Sequence, residues 1–472
     1  MKAYKTYYLF LFSLMIVLFA PILVQRGMFS DGIWYATIAH NLSNGLGTFW
    51  NPMLTETIAP EFFSHPPLVF GFQSLFFDVF GSAMYVEKIY ALVVFIGTIV
   101  LIHVVWKEIS HGNKELQKYS FLPITLWFIC ERTYVNYPNN LLECTQTTFI
   151  LGAVLLMLKG IRSQSSRKYI SLVFSGLCLV FAFLSKGYTG LFPLGFILLH
   201  YVCFREFNFY TTIKYSLTVL LSFLGFLALL FVISLDAWNY ILNYTNLQVL
   251  GSIKGETFGN IQPSRFYILR RFVESNVAPM LLVLLISLVS YFKGNLASIR
   301  KYKNNIFFFL CFALLGFLPF MISTKQASYY VIPSIPFLAF ALSFILVQSQ
   351  VLLEKLKTSK TFLVFSLIVL ILGLVHLYNV KDQYNVRDRV LLSDIDAMKE
   401  ELSTVHGLTI GSITNKEIPS HGYLMRIHQI SLDTVQPYEY KAIFSNKDSL
   451  EGGYVRTSEN TKNYHLFLKI DH

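Results

Sequence analysis

Asp31 is the residue of this sequence that most clearly indicates chemistry. It directly follows the first long apolar stretch of the chain, in the segment Ser30-Asp31-Gly32, with Trp34 and Tyr35 shortly after it. A carboxylate so close to a hydrocarbon environment is costly to place, so a role in stability explains it poorly. We interpret Asp31 as a reactive carboxyl group that exchanges a proton with a substrate.

Two turn segments place a basic side chain at the predicted membrane boundary. In Ser64-His65-Pro66-Pro67 the prolines favour a rigid bend that holds His65 at the membrane boundary. Lys186 is followed by a glycine, which permits a tight turn with free backbone amides and, together with the lysine, suits an anion. The alternative for each segment is a simple loop terminator or hairpin turn.

A third basic segment begins at Lys325 and continues to Tyr329 and Tyr330. These residues would meet the lipid headgroups as a span begins, where tyrosines often form only an aromatic belt. Basic residues at this level can also snorkel to headgroups, but as a set they indicate an anion site. The same predicted side carries three arginines in one short segment, Arg265, Arg270 and Arg271.

A polar segment, residues 132–143, separates two apolar stretches. Glu143 would lie about one turn inside the following span, where a carboxylate is costly unless it faces a wet cavity or a cation. The alternative is that Glu143 is a buried partner of Arg132. The predicted substrate cavity consists of Trp34, Tyr35, Arg132, Asn139, Asn140 and Glu143.

The elements that must position these residues are membrane spans. The 472-residue chain is 54% hydrophobic and only 14% charged, and its mean hydropathy is +0.53. Since a spanning helix needs roughly 20 apolar residues, the sequence predicts an all-α polytopic membrane protein with about eleven transmembrane helices. The predicted spans are about 7–25, 84–106, 120–131, 140–158, 169–185, 188–203, 214–235, 276–292, 305–322, 329–349 and 361–379.

Orientation follows from the lysines and arginines of the short loops, which favour the cytoplasmic side. These residues concentrate in alternate loops, so we expect a multi-pass protein of the inner (cytoplasmic) membrane with the segments around Asp31 facing outward. The net charge of +11 is then explained by an inner rim that contacts anionic membrane lipids. No nucleic-acid partner is needed to explain it.

The composition changes near residue 380, which predicts two domains, 1–379 in the membrane and 380–472 outside it. In the second part, a helix near 390–403 and strands near 407–412, 427–431, 440–444 and 464–470 predict a small α+β extracytoplasmic domain. It contains no recognisable catalytic motif.

Several functions lack sequence support. All five cysteines lie in or beside apolar stretches, so no disulfide framework is predicted. There is no glycine-rich phosphate loop before a helix and no Cys or His cluster with metal spacing, so nucleotide hydrolysis and structural zinc are unsupported.

Four segments together resemble the bacterial members of the C-type membrane glycosyltransferases, which have the GT-C fold and include protein O-mannosyltransferases and lipid A aminoarabinose transferase (families 39 and 83). The similarity covers most of residues 1–345. Compared with the family pattern, Gly32 replaces a second acid, Asn139 or Asn140 replaces an aspartate and His65 replaces a lysine. The segments are Asp31-Gly32, His65-Pro66-Pro67-Leu68, Ser185-Lys186-Gly187-Tyr188 and Lys325 to Pro333.

The resemblance implies transfer of a sugar from a polyprenyl-phosphate carrier to an acceptor at the outer face, which can be lipid A, a protein or an envelope glycan. Asp31 would be the general base, most simply with inversion. No cofactor is assigned; a divalent metal remains possible, without assigned ligands. The residues expected to bind the donor or its phosphate are His65, Lys186, Arg265, Arg270, Arg271, Lys325 and Tyr329.

Two other classes of protein remain open. A polyprenyl-lipid or solute transporter would also carry outward basic residues, but it more often shows an internal repeat with broken helices near the midplane. A structural or receptor protein that displays the C-terminal domain leaves the basic outer loops unexplained. The polar residues collect at one predicted face, which favours an interfacial enzyme.

Overall fold

The computed structural model describes residues 4–254, 262, 264–294, 297, 299–323, 325–414, 417–458 and 460–470. Up to residue 110 the helices are α1 (Lys5–Leu18), α2 (Ala20–Val24), α3 (Ser30–Ser43), α4 (Leu68–Phe80) and α5 (Val86–Ile109). The next six are α6 (Lys114–Gln117), α7 (Phe121–Phe128), α8 (Glu131–Asn136), α9 (Leu142–Arg162), α10 (Arg167–Lys186) and α11 (Phe196–Phe204).

The second half of the chain is also mainly helical as far as residue 380. Its helices are α12 (Phe209–Ile233), α13 (Leu235–Tyr244), α14 (Gly251–Lys254), α15 (Tyr267–Ser275), α16 (Val277–Phe292), α17 (Lys303–Leu315), α18 (Ile335–Leu346), α19 (Gln350–Thr358) and α20 (Lys360–Val380). The C-terminal helices are α21 (Arg389–Ala397), α22 (Lys399–Ser403) and α23 (Glu417–His428).

The helices long and apolar enough to cross a membrane number six within the described ranges, or seven if the bent pair α15 and α16 forms one span. The predicted number of about eleven is not confirmed. Prolines are one reason, because a residue without an amide hydrogen interrupts helix hydrogen bonding. Pro21 follows the break between α1 and α2, and Pro193 lies in a 3₁₀ segment, Tyr188–Gly195, that precedes α11.

The pairing of α9 with α10 brings polar residues of distant sequence to one end of the bundle. The two helices run antiparallel and are joined by residues 163–166, so the start of α9 lies beside the end of α10. Glu143 therefore lies near Lys186. The 3₁₀ segment Ser328–Ser334, which leads into α18, packs against α9.

The C-terminal region contains a five-stranded sheet. Its strands are β3 (Thr409–Ile413), β4 (Ser431–Asp433), β5 (Ala442–Ser445), β6 (Tyr454–Arg456) and β7 (His465–Lys469), and they come after a short hairpin of β1 (Gly47–Thr48) and β2 (Asn51–Pro52) in the chain. The order of the strands in the sheet is β4-β3-β5-β7-β6. β3 pairs in parallel with β4 and β5, whereas β7 pairs antiparallel with β5 and β6.

The predicted elements of this region are found in part. The helix near 390–403 is present as α21 and α22, and three strands lie close to their predicted positions as β3, β5 and β7. The prediction of a strand at 427–431 was wrong at its start, because α23 extends to His428 and β4 begins at Ser431. α23 connects two parallel strands, a crossover that normally requires a helix.

The C-terminal region shares its hydrophobic core with the start of α3. Met28 and Ile33 are buried in one cluster with Leu391, Ile395 and Tyr423. The division of the chain at residue 380 stays a prediction, since the core of the second part includes residues of the first.

Candidate functional site

The site is centred on Asp31 in the first turn of α3. The Tyr329 hydroxyl donates a hydrogen bond of 2.7 Å to Oδ2 of Asp31. The ring of Phe29 meets the Tyr329 ring edge to face, with centroids 6.0 Å apart. The carboxylate is thus held by a residue from the second half of the chain, and it is only partly buried.

Lys186 and Glu143 form a buried ion pair beside Asp31. Nζ of Lys186 lies 2.5 Å from Oε1 of Glu143, and the two side chains are only 5% and 2% exposed. The ammonium group also lies 5.2 Å and 5.3 Å from the ring centroids of Tyr329 and Tyr330, distances at which a cation is attracted to an aromatic face. Three contacts therefore fix the Lys186 ammonium group.

This geometry decides between the two interpretations of Glu143. Its cationic partner is Lys186, and Arg132 instead lies 3.5 Å from Glu131 and 3.4 Å from the Ser275 hydroxyl. The interpretation of Glu143 as a partner of Arg132 was wrong. The cause is the packing of α9 on α10, which places Lys186 closer than the arginine of the preceding loop.

A cavity of about 380 Å³ opens beside the ion pair, and we call it the cationic cavity. Nζ of Lys325 donates a hydrogen bond of 2.9 Å to Oε1 of Gln248 in its wall. Aromatic and aliphatic side chains form most of the remaining wall. The cavity is lined by His65, Lys186, Tyr188, Phe192, Tyr244, Gln248, Leu315, Phe320, Ile322, Lys325 and Tyr330, among others.

The basic groups of the cationic cavity influence one another. Burial and the positive charge of Lys186 lower the pKa of Lys325, while the charge of Asp31 opposes this shift. Burial, with smaller effects of the two lysines, holds the pKa of His65 well below its usual range. His65 is therefore neutral at pH 7, and the lysines supply the positive charge.

A second cavity of about 230 Å³ lies on the other side of the tyrosine pair, and we call it the polar cavity. Tyr329 lines this cavity, whereas Tyr330 lines the cationic cavity. Its wall is rich in amides and hydroxyl groups. The lining residues are Phe29, Arg132, Val135, Asn136, Asn139, Gln262, Tyr267, Gln326, Ala327, Ser328 and Tyr329.

Gly32 explains one departure from the family pattern. A Cβ atom at position 32 would lie 2.0 Å from the carbonyl oxygen of Asn139 and 2.8 Å from the Met28 side chain. A second acid cannot occupy this position without moving the 139–140 turn. Asn140 adopts a left-handed conformation in this turn, with a φ of 58°. Its side-chain amide donates hydrogen bonds of 3.3 Å to the Gly32 carbonyl oxygen and 3.1 Å to Oε1 of Gln73.

Trp34 and Tyr35 lie in different environments. The Trp34 indole donates a hydrogen bond of 2.9 Å to the carbonyl oxygen of Ile418 in the C-terminal region. Tyr35 is buried, and its ring lies 5.8 Å from that of His65. Burial raises the pKa of Tyr35 well above its usual range, with a further contribution from Asp31.

The three arginines are not among the residues that line either cavity. Arg270 and Arg271 form ion pairs of 2.6 Å and 2.9 Å with Glu274 on the same helix, and the Arg270 side chain is 74% exposed. Arg265 is exposed, and its carbonyl oxygen accepts a hydrogen bond from Gln326. The structure thus brings Lys186, Lys325, His65 and Tyr329 together, whereas the three arginines are outside the lining of both cavities.

A divalent metal is commonly held by a cluster of ligating side chains. No three His, Cys, Asp or Glu residues among the described side chains lie close enough to hold an ion. The carboxylate of Glu143 is already paired with Lys186. No step of a mechanism is therefore assigned to a metal.

Two residues of the site were missed in the sequence. Gln248 holds Lys325 from a π-helical segment, Thr245–Leu250, and Tyr244 donates a hydrogen bond of 3.4 Å to the Lys186 carbonyl oxygen. Neither belongs to a motif. The only available signal is the unusual number of polar residues in a segment that precedes a span.

Comparison with known proteins identifies related sequences and folds. Residues 64–233 match the family described as dolichyl-phosphate-mannose-protein mannosyltransferase, which is less than half of the chain. No curated protein matches the sequence.

Solved structures resemble nearly the whole chain. ArnT from Cupriavidus metallidurans bound to undecaprenyl phosphate has a TM-score of 0.63 and 12% identity, covering 97% of this chain and 96% of that one. The apo state of ArnT gives a TM-score of 0.64 and 13% identity over 98% and 97% of the two chains.

A third similar structure is the archaeal oligosaccharyltransferase AglB from Archaeoglobus fulgidus, in complex with an inhibitory peptide and a dolichol-phosphate. Its TM-score is 0.52 at 11% identity, and the match covers 94% of this chain and 70% of that one. The resemblance to C-type glycosyltransferases is confirmed at the level of the fold, which is the multi-pass GT-C fold.

Proposed function

We propose that this protein is a membrane glycosyltransferase that moves a sugar from a polyprenyl-phosphate donor to a hydroxyl group of an acceptor, with Asp31 as the general base. One observation carries the proposal. The carboxylate is bonded to Tyr329, and the adjacent Tyr329 and Tyr330 divide a cavity with two lysines from a cavity with amides and hydroxyl groups.

The cationic cavity suits the donor. Lys186 and Lys325 provide positive charge for a phosphate, and Lys325 is bonded to a neutral amide that does not cancel its charge. The apolar wall suits the first isoprene units of a lipid chain, and the names of the similar structures include undecaprenyl phosphate and dolichol-phosphate. Tyr329 is assigned to the junction of the two cavities.

The polar cavity suits the acceptor. Its amides and hydroxyl groups can orient a sugar or another polar molecule, and Arg132 can bind an acidic group. Tyr329 lines this cavity and donates a hydrogen bond to Asp31, so we assign the approach of the acceptor hydroxyl to this side of the site. Lipid A, protein hydroxyls and envelope glycans remain candidate acceptors.

The proposed reaction is a single displacement. As the acceptor oxygen attacks the anomeric carbon, Asp31 takes its proton. The bond between that carbon and the phosphate oxygen breaks, and the electron pair leaves with the lipid phosphate. Lys186 and Lys325 stabilise the departing phosphate charge. Glu143 is paired with Lys186 and offers no free second carboxylate, so we expect inversion.

Arg265, Arg270 and Arg271 receive a different role in this proposal. None of the three lines either cavity, and the pairing of two of them with Glu274 favours contact with lipid headgroups. Donor binding is assigned to the two lysines, with His65 as a neutral neighbour.

The direct test is transfer by the purified protein in lipid nanodiscs, supplied with synthetic polyprenyl-phosphate sugars and a panel of acceptors. Wild type should release lipid phosphate and form a glycosylated product, and Asp31→Asn should bind the donor yet lose transfer. Turnover by Asp31→Asn near the wild-type rate would remove Asp31 as the base. Movement of intact donor across a bilayer, without product, would favour the transporter class.

We also propose that the Asp31 face and the C-terminal region lie outside the inner membrane, as the loop charges predict. In a cysteine-free background, Val435→Cys tests this, because Val435 is 86% exposed. It should react with a membrane-impermeant thiol reagent in intact cells. Ser458→Cys is the matched control, since Ser458 is only 4% exposed. Reaction of the Val435→Cys variant only after lysis would overturn the orientation.

A further inference from the structure

The peptide that precedes Asp31 is paired with the segment that enters the C-terminal region. The amide of Arg26 donates a hydrogen bond of 3.0 Å to the carbonyl oxygen of Gln383, and the amide of Asn385 donates one of 2.8 Å to the carbonyl oxygen of Arg26. The Arg26 guanidinium also forms an ion pair with Asp396. Residues 26–30 therefore run along the C-terminal region immediately before α3 begins.

Two side chains of the C-terminal region hold the backbone of Met28. The amide of Met28 donates a hydrogen bond of 2.9 Å to the Tyr423 hydroxyl, and the Met28 carbonyl oxygen accepts a hydrogen bond of 2.7 Å from Nη2 of Arg387. The Tyr423 hydroxyl has a single hydrogen, which it donates 2.8 Å to buried Asp388. Both polar backbone atoms of Met28 are satisfied by these contacts.

Arg387 continues this contact into the first residue of α3. Its Nη1 donates 3.0 Å to the Ser30 hydroxyl, and its guanidinium lies 5.6 Å from the centroid of the Phe29 ring. Arg387 also pairs with Asp388, the acceptor of the Tyr423 hydroxyl. One connected network thus reaches the residue directly before Asp31.

The opposite side of the same peptide is held by the membrane part. The Phe29 amide donates 2.7 Å to Oδ1 of Asn139, and the Phe29 ring contacts Tyr329, which itself binds Asp31. Since α3 lacks a side-chain cap at Phe29, the direction of its first turn depends on these surrounding contacts.

We infer that Arg387 and Tyr423 are positioning residues for the proposed reaction: they fix the Met28–Ser30 peptide and so set the position of the Asp31 carboxylate. The C-terminal region is then part of the active site, in addition to any contact it makes with an acceptor. This inference rests on the proposed function, because it gives Asp31 the role of base.

Two further contacts between the regions lie away from Asp31. Buried Arg426 forms an ion pair of 3.0 Å with Glu87, and the Thr57 hydroxyl donates a hydrogen bond of 2.6 Å to the carbonyl oxygen of Leu432. These contacts join the regions but involve neither the Met28–Ser30 peptide nor Asp31. Thr57→Val therefore supplies a control that removes an inter-region hydrogen bond away from the site.

The kinetic experiment compares Arg387→Gln, Arg387→Lys, Tyr423→Phe and Thr57→Val in nanodiscs. We expect Arg387→Gln and Tyr423→Phe to lower kcat by about tenfold or more, since a catalytic group misplaced by about 1 Å can cost on the order of a hundredfold. The KM for the donor and its binding should change less than twofold. Arg387→Lys, which keeps the charge and one contact, should recover part of kcat, and Thr57→Val should match wild type.

An equal loss of kcat in Thr57→Val, or a loss that follows only the fraction of folded protein, would overturn the positioning role. Hydrogen exchange gives a second measurement that needs no activity. In Tyr423→Phe the Met28 amide should exchange at least tenfold faster, while the strands of the sheet keep their protection. Unchanged protection of Met28 would also overturn the inference.

The kinetic assay and hydrogen exchange together test the positioning role separately from the proposed function. If wild type transfers no sugar, the proposed function fails, while the exchange of Met28 still tests the network. If wild type is active and the Arg387 and Tyr423 variants retain full kcat, only the positioning role fails.

Discussion

Tyr329 and Asp31 are separated by 298 positions in the chain, and the Tyr329 hydroxyl donates a hydrogen bond of 2.7 Å to the Asp31 carboxylate. A hydrogen bond to a charged group contributes about 1.5 to 3 kcal/mol. We expect Tyr329→Phe to lower kcat by roughly tenfold or more, with less effect than Asp31→Asn, in the nanodisc transfer assay. A Tyr329→Phe enzyme with unchanged kcat would show that this bond does not orient the base.

Substitution of Lys325 should weaken donor binding, whereas substitution of Arg270 should leave it unchanged. Lys325→Ala removes a charge from the cationic cavity, so the affinity for polyprenyl phosphate should fall about tenfold or more. Arg270→Ala removes an exposed arginine paired with Glu274 and should leave that affinity unchanged. Titration of the two variants with the lipid phosphate measures both. The reverse order of effects would move the phosphate site to the arginines.

Variants of the buried Lys186–Glu143 pair distinguish an effect on stability from an effect on donor binding. Removal of one partner from a buried pair leaves an unpaired charge, which costs about 3 to 5 kcal/mol, so Lys186→Met and Glu143→Gln should both lower Tm clearly. The double variant Lys186→Met/Glu143→Leu should recover much of the Tm but none of the donor affinity. Recovery of donor affinity in the double variant would contradict a role for Lys186 at the phosphate.

Gly32 should not tolerate a side chain. A Cβ there meets the Asn139 carbonyl oxygen at 2.0 Å, so Gly32→Ala should destabilise the protein by about 1 to 3 kcal/mol and displace Asp31. Gly225→Ala is the matched control, because nothing lies within 4 Å of its added Cβ in α12. Thermal unfolding and transfer assays compare them. Equal behaviour of the two variants would contradict the close approach of Asn139.

His421 predicts a pH-dependent stability of the C-terminal region. It is fully buried, its ring nitrogens have no hydrogen-bond partner among the described residues, and burial lowers its pKa to about 4. In the unfolded chain the His421 imidazole binds a proton below about pH 6.5, whereas in the folded chain it stays neutral until the pH approaches 4. The free energy of unfolding is therefore highest above about pH 6.5 and decreases as the pH falls towards 4.

Between pH 7.5 and pH 5 this residue should reduce the free energy of unfolding by about 2 kcal/mol. His421→Leu should therefore show a smaller fall of Tm with acid than wild type, whereas His111→Leu, at an exposed position, should follow wild type. Parallel Tm curves for wild type and His421→Leu would contradict this expectation.

Much of the site was predictable from the sequence because its residues mark the ends of apolar stretches. Lys186 and Lys325 each follow such a stretch, and alternate ends of successive spans meet at one face of a bundle. The partner of Glu143 was not predictable in this way. Arg132 is nearer in the sequence, but the packing of α9 on α10 selects Lys186.

The fold was less fully predictable. Hydropathy detects apolar composition but not the end of a helix, so prolines such as Pro21 and Pro193 divided segments that were predicted as single spans. α23 lacks a clear apolar period, and no helix was predicted from the sequence at Glu417–His428. The contacts of Arg387 and Tyr423 with Met28 join positions more than 350 residues apart, and no local pattern signals such a contact.

The pairing of residues 26–30 with residues 383–388 also fixes an order in biosynthesis. The peptide around Asp31 emerges from the ribosome and enters the membrane early, but Arg387 and Tyr423 are translated only after the last apolar helix. A nascent or truncated chain that ends before Arg387 can insert its helices and still lack the contacts that hold Met28. Under the proposed function, such a chain would hold Asp31 without these contacts, so unfinished copies would transfer sugar more slowly than the complete protein.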